Sequence, residues 1–307
     1  MTNTGFTETD VPDQSGKCFV VTGANTGIGF ETSRVLAAHG ARVIMACRSR
    51  DKADEAMRRI KLLTPQAELV FLPYDQGDLD SIRTAAGLLA KEPRIDVLIN
   101  NAGVMTPPLT RTKQGFELQF GVNHLGCFAL TALLLPTLSK TDGARIVVTS
   151  SIAHRGAHID WDDLNAEKRY NRVTRYAASK LANALFFFEL DRRLRASGST
   201  LMAEGCHPGS AATDLARYMG PLQILLPLVR VFLNSAAKGA WPTLQAATGK
   251  VIPGGYYGPI GFAGIRGKSG ESSRTAQAQD LELARRLWDI SVEMTGIDPG
   301  LPPVTEK

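Results

Sequence analysis

Tyr176 and Lys180 stand four residues apart in the run Tyr176-Ala177-Ala178-Ser179-Lys180-Leu181-Ala182-Asn183, whose composition is strongly helical. At that spacing both side chains leave one face of a helix and can enter one site. A phenol has an unperturbed pKa of about 10, too high for efficient proton transfer near neutrality, and a neighbouring ammonium stabilises the phenolate. Lowering that pKa by about three units corresponds to roughly 4 kcal/mol. A close cation in a desolvated cleft can supply much of it. The pair could therefore move a proton to or from a substrate oxygen. In isolation the same spacing also fits a half-buried aromatic ring beside a solvated cation.

A second group of candidates is Thr22-Gly23-Ala24-Asn25-Thr26-Gly27-Ile28-Gly29, which follows an apolar run and precedes a helical pattern over Phe30 to Ala38. A strand, a tight glycine turn and a helix N-terminus present unpaired N–H groups and a positive dipole end to a pyrophosphate. A third is Ser151 in Ile146-Val147-Val148-Thr149-Ser150-Ser151. Its hydroxyl could donate to a substrate oxygen or cap the backbone at the strand end, and Ser150 is the neighbour with which it could be confused. His124, His154 and His207 lie in separate segments without ligand-pair spacing, so no metal site is expected.

These groups need a scaffold. Short apolar runs at Cys18–Thr22, Arg42–Ala46, Glu68–Leu72, Val97–Asn100, Arg145–Thr149 and Leu201–Cys206 read as strands, with helical patterns between them. That alternation predicts an α/β, doubly wound parallel sheet with helices on both faces. Ligands of such sheets sit beyond the carboxyl ends of the strands, where Gly23–Gly29, Cys47–Arg50, Asn100–Gly103 and Ser150–Ser151 all fall. The Gly- and Pro-rich stretch 253–264 reads as a loop, and one domain over 17–307 is expected.

Composition closes off other classes of function. The 307 residues are 44% hydrophobic and 21% charged, the balance of a globular chain. The net charge of +5 is scattered among acids, with no basic run interleaved with aromatics, which argues against nucleic acid. Cys18, Cys47, Cys127 and Cys206 lack the spacing of a zinc site or redox dithiol, and reduced thiols in the cytoplasm are expected. Residues 1–16 are polar and read as a flexible tail, neither secretory signal nor anchor, and no membrane span is expected.

The glycine spacing departs from G-x-G-x-x-G and resembles the Thr-Gly-x-x-x-Gly-x-Gly loop of short-chain dehydrogenases/reductases. The likeness continues through Asn100-Asn101-Ala102-Gly103, Tyr176-x-x-x-Lys180 and Pro208-Gly209, in the family's order. It implies a Rossmann fold and hydride transfer with a nicotinamide cofactor. By that resemblance Tyr176 is the acid/base, Ser151 the hydroxyl beside it, and Lys180 also a ligand of the nicotinamide ribose. Asn123, in Gly121-Val122-Asn123-His124-Leu125-Gly126, matches the asparagine that positions the lysine through water; a buried amide distorting its helix is the other reading. The resemblance puts Gly23, Asn25, Thr26, Gly27, Ile28 and Gly29 around the pyrophosphate. Asp75 and Gln76 fall by the adenine, Asn100, Asn101, Ala102 and Gly103 by the ribose, and Pro208, Gly209 and Thr213 by the nicotinamide.

The second strand ends Ala46-Cys47-Arg48-Ser49-Arg50, with no acid before Asp51. Arg48 can bind a ribose 2′-phosphate, which favours NADP(H) over NAD(H). Asp78, before Leu79 to Leu89, reads as a helix cap. Residues 211–234 occupy the family's substrate lid and are apolar here, with Leu222, Ile224, Leu225, Leu226, Leu228, Val229, Val231 and Phe232. They imply a hydrophobic carbonyl or alcohol substrate, or a packing contact. Details such as Ala46-Cys47-Arg48, the insert from His154 to Thr174 and Lys180-Leu181-Ala182-Asn183 resemble the retinol dehydrogenase and protochlorophyllide reductase-like branch. A carbon–carbon double-bond reductase and a non-catalytic NADP(H)-binding regulator are the alternative functions. The resemblance also implies a homodimer or homotetramer, to which Phe186, Phe187 and Phe188 could contribute.

Overall fold

The computed structural model describes residues 5–210 and 234–304. Eight strands form one sheet in the order β3-β2-β1-β4-β5-β6-β7-β8. They are β1 (Cys18–Thr22), β2 (Arg42–Cys47), β3 (Glu68–Pro73), β4 (Val97–Asn100), β5 (Arg145–Thr149), β6 (Met202–Cys206), β7 (Tyr256–Gly261) and β8 (Arg266–Glu271). All neighbours pair in parallel except β7 and β8. Among the described residues the main helices are α1 (Gly27–Ala38), α2 (Arg50–Leu63), α3 (Leu79–Leu89), α4 (Leu118–Leu138), α5 (Arg172–Ala196), α6 (Ala236–Thr248) and α7 (Leu281–Thr295).

Strand residues alternate between two apolar layers, as period-two geometry requires. Val20, Ile44, Leu98, Ile146 and Val148 pack with α3, α4, α5 and α7. Phe19, Val21, Val43, Met45, Ile99 and Val147 pack with α1, α2 and α6. Both faces are therefore covered, as a parallel sheet needs. The strand order reverses between β1 and β4, which opens a crevice at their carboxyl ends. α4 is long and apolar enough to cross a membrane by composition, and 89% of its window is buried inside the protein. Its role here is core.

Two expectations need correction. The stretch read as a late loop contains β7, whose Tyr256-Tyr257-Gly258-Pro259-Ile260-Gly261 pairs with β6 and β8 through its backbone. The ladder to β6 ends at Tyr257, so Pro259 removes no donor from that side. The tail is also packed from residue 5 onward. Phe6 N donates to Ser269 O at 2.6 Å and Ser269 N returns a bond at 2.9 Å, covering the β8 edge. Glu8 pairs with Arg34 at 2.7 Å, and Val11 and Gln14 are buried. These partners are remote in sequence, which is why the polar composition of the segment did not reveal them.

Candidate active site

The glycine loop closes between β1 and α1. Gly23 and Gly27 adopt φ of +66° and +57°, the left-handed region that glycine enters freely. At Gly29 the constraint is space, because a Cβ would lie 2.3 Å from the Gly23 carbonyl oxygen and 2.5 Å from Asn101 Nδ2. The first turn of α1 therefore lies directly against its own loop. Asn101 does not project freely: its Nδ2 donates to Thr22 O at 2.8 Å, and the amides of Asn101 and Ala102 both donate to Thr22 Oγ1 at 3.0 Å. Thr22 thus ties the β1 and β4 ends together. Cys47 adds a brace from β2, its sulfur accepting from the amides of Ala24 and Asn25. Thr22 and Cys47 fall within the candidate segments read from the sequence, and the structure shows them bracing the loop.

At the end of β2, Arg48 is exposed and has no ion pair among the described residues. Ser49 caps α2 by accepting from Lys52 N, and Arg50 is held by Asp54 at 2.8 Å. Of the two arginines, Arg50 is paired with a carboxylate and, among the described residues, Arg48 is not. Asp75 is half-buried and accepts from Gly77 N at 2.9 Å, while Asp78 caps α3 as expected. The Gln76 side chain points inward, donating to Val122 O at 2.6 Å and Ala102 O at 3.1 Å. It braces the β4 loop against α4.

Asn123 lies in a π-helical turn, Gly121–Leu125, within α4. A π turn carries one extra residue and frees a carbonyl from the regular ladder, a distortion common at functional sites. The Asn123 amide is fully engaged: Oδ1 accepts from Val104 N at 2.7 Å, and Nδ2 donates to Val104 O and Ser179 Oγ, each at 2.9 Å. A Cβ at Gly103 would lie 3.0 Å from Asn123 Oδ1 and 3.6 Å from Lys180 Nζ, so glycine lets these two groups meet the β4 loop.

α5 brings Tyr176 and Lys180 together, with Lys180 Nζ 5.9 Å from the centre of the Tyr176 ring. Lys180 is buried and donates to Thr149 O at 3.1 Å. Burial lowers its pKa to about 8, partly opposed by Cys127 and Cys206. Burial likewise pushes the Tyr176 phenol above its ordinary value, opposed by a hydrogen bond from Ser151. The direction is the reverse of the lysine-depressed phenol expected from the spacing. The ammonium is turned toward the β5 carbonyl, and desolvation disfavours the charged form of both groups.

The two serines at the end of β5 separate cleanly. Ser150 Oγ donates to Lys180 O at 2.7 Å and is buried behind the site. Ser151 Oγ accepts from Ala153 N at 3.2 Å and faces Tyr176. Capping and function coexist there, because accepting one bond leaves the hydroxyl proton to donate. Pro208 and Gly209 follow β6, and a Cβ at Gly209 would lie 2.2 Å from Ile265 O. Thr213 and the apolar stretch 211–233 lie outside the described residues.

The histidines are buried singly, His124 on Ser291 at 2.8 Å and His207 on Ser272 at 2.9 Å, both with pKa lowered by burial to about 3. No cluster able to hold a metal occurs among the described residues. Phe186 and Phe187 are core residues, and Phe188 lies under Arg192 and Arg274, so the run expected to serve a partner chain is largely spent inside.

Residues 17–222 match the short chain dehydrogenase family. The chain belongs to the short-chain dehydrogenase/reductase family of oxidoreductases. It is 41% identical to human retinol dehydrogenase 11 over 286 residues, covering 92% of this chain and 86% of that one. It is 42% identical to human retinol dehydrogenase 12 over 287 residues, with 92% and 87% covered. A solved structure of an uncharacterised protein from Mycobacterium paratuberculosis superposes with a TM-score of 0.81 at 40% identity, covering 97% of this chain and all of the other. A short chain dehydrogenase from Burkholderia cenocepacia, solved in complex with NADP, shares the fold with a TM-score of 0.63 at 24% identity, over 80% and 96% of the two chains.

Proposed function

We propose that this protein is an NADP(H)-dependent oxidoreductase that reduces a hydrophobic aldehyde or ketone, or oxidises the corresponding alcohol, with Tyr176 as general acid/base. The observation that carries the proposal is the meeting of Ser151, Tyr176 and Lys180 on the crevice side of β5 and α5. A protein that only binds a nucleotide has no use for a serine hydroxyl aimed at a half-buried phenol.

The glycine cradle suits a dinucleotide, since Gly29 leaves backbone room beside the N-terminus of α1 and Arg48 offers a cation to a 2′-phosphate. The loop from Gly23 to Gly29, with Asn25, Thr26, Gly27 and Ile28, would hold the pyrophosphate. Asp75 and Gln76 would flank the adenine, Asn100 to Gly103 the ribose, and Pro208, Gly209 and Thr213 the nicotinamide. NADP in the Burkholderia structure supports the cofactor class, and the retinol named in the human relatives supports an apolar alcohol or aldehyde. The cofactor, when bound, supplies or accepts the hydride.

The protein's part is positioning and proton transfer. Ser151 donates to the substrate oxygen and holds it beside Tyr176. Tyr176, kept protonated by burial, gives its proton to that oxygen as negative charge develops there. Lys180, fixed on Thr149 O, places a positive charge near the phenolate left behind and thereby stabilises it. Oxidation runs these steps in reverse.

The proposal is tested by following NADPH and NADH consumption with a panel of long-chain and aromatic aldehydes and ketones. Turnover that prefers NADPH and strengthens with substrate hydrophobicity supports it. Tight NADPH binding without turnover of any carbonyl would favour the regulator instead, and reduction of conjugated double bonds alone would favour the double-bond reductase.

A further inference from the structure

Behind the catalytic serine lies a side chain that the proposed mechanism does not use. His154 is fully buried and ends the short 3₁₀ turn Ile152–His154 that follows Ser151. Three hydrogen bonds join this turn to the serine. Ala153 N donates to Ser151 Oγ at 3.2 Å, His154 N to Ser151 O at 3.1 Å, and His154 Nδ1 lies 2.6 Å from the same carbonyl oxygen. The turn therefore grips the serine at both its hydroxyl and its carbonyl.

A carbonyl oxygen only accepts, so the ring nitrogen 2.6 Å away must carry the proton. That assignment fixes the neutral Nδ1–H tautomer and leaves Nε2 as a bare lone pair. Nε2 is buried without a hydrogen-bond partner among the described residues, which a lone pair tolerates better than an orphaned N–H. Burial also holds the imidazole below its ordinary pKa, against an additional proton. Tyr256 packs edge-on against the ring with centroids 5.6 Å apart, its hydroxyl oxygen 3.5 Å from the same Nδ1, where it can accept a second, longer contact from that N–H, and it stacks on the buried ring of Phe187 at 5.7 Å.

We infer that His154 is a positioning residue for Ser151: its Nδ1–H anchors the Ser151 carbonyl and thereby directs the Ser151 hydroxyl proton at the substrate oxygen. With the carbonyl anchored, Ser151 stays extended at φ −158° and ψ 157°. With Oγ accepting from Ala153 N, the remaining direction for its proton is the face toward Tyr176. Loosening the carbonyl would let the hydroxyl swing and weaken a bond made to developing charge, which lowers kcat more than it raises KM. The inference rests on the proposed reading of Ser151 as substrate donor.

Two variants and one spectrum test it. His154→Asn keeps an N–H donor near the carbonyl, whereas His154→Phe keeps only ring volume. With a substrate turned over by wild type, His154→Phe is expected to lower kcat about tenfold, the loss of one well-made hydrogen bond. KM and NADPH affinity should stay within about twofold, and His154→Asn should recover kcat to within about threefold of wild type. Unchanged kcat in His154→Phe, or equal losses in both variants, would overturn the inference. Long-range proton–nitrogen NMR of isotope-labelled histidine, assigned by the signal missing in His154→Asn, reads the tautomer without turnover or the Phe variant. A protonated Nδ1 is expected, and an Nε2–H tautomer would overturn the inference even if the enzymatic reading of the site stands. Absence of turnover in wild type would count instead against the enzymatic reading on which the inference rests.

Discussion

Lys180 and Asn183 donate to the same carbonyl oxygen, that of Thr149, at 3.1 and 3.0 Å. One turn of α5 is thereby fastened to the end of β5 by two donors from neighbouring turn positions. Ser150 adds a third tie between the same elements, its Oγ donating to Lys180 O at 2.7 Å.

The burial of Lys180 has a measurable consequence for stability. The Lys180 pKa of about 8 lies below the ordinary 10.5, so between these values the unfolded chain holds more protons than the folded one. The sign is therefore a stability that rises with pH across that window and carries its full penalty below about 8. In the cofactor-free protein, Lys180→Met should be more stable than wild type by at least about 1 kcal/mol near neutrality. The difference should shrink as pH passes from about 8 to 10.5. Denaturant titrations of the two proteins across this range check it, and a gap independent of pH would contradict it.

Glu204 predicts the opposite slope. It is fully buried in β6 with neither carboxylate oxygen hydrogen-bonded among the described residues, and burial raises its pKa from 4.5 to about 8. The folded state therefore holds the extra proton between these values, and stability falls as pH rises through them. Glu204→Gln cannot ionise, so it should gain on wild type by at least about 1 kcal/mol between mildly acidic and mildly alkaline pH. Thermal melts at matched ionic strength test this, and parallel pH curves for the two proteins would refute it.

Arg48 should carry the choice of cofactor. Arg48→Ala removes a cation while leaving the Ser49 cap and the Arg50–Asp54 pair in place. NADPH affinity is expected to fall about tenfold to a hundredfold, the worth of a charge-assisted contact, with NADH affinity nearly unchanged. Equal loss for both cofactors would show that Arg48 supports the loop instead.

Gly29 tests the cradle. In Gly29→Ala the new methyl would lie 2.3 Å from a backbone oxygen and 2.5 Å from the amide that ties Asn101 to β1. Overpacking of this kind costs about 1 to 3 kcal/mol, and cofactor affinity should be lost with it. Wild-type melting and NADPH binding in the variant would contradict the packing described.

Much of this was legible in the chain itself. β1, β4 and β5 are short apolar runs buried on both faces, and their limits follow from composition. Tyr176, Lys180, Ser151 and the glycine loop are close in sequence to the elements that carry them. β7 and β8 were obscured because Gly and Pro interrupt β7, β8 is made of polar residues and Gly, and backbone pairing rather than side-chain pattern defines both. Thr22 and Cys47 stood in candidate segments, but their bracing contacts, like that of His154 with Ser151, could not be read from the chain because they depend on side-chain placement in the folded loop. Ser179 and Asn183 carried a usable signal, each three positions beyond Tyr176 and Lys180 on the same helix.

The central claim is that the Tyr176 proton is what the reaction needs. The most direct measurement compares wild type with Tyr176→Phe for NADPH binding and for single-turnover reduction of a hydrophobic carbonyl. Binding should be retained while the rate falls at least about a hundredfold, the usual worth of a general acid. Turnover within about tenfold of wild type at unchanged binding would contradict the account.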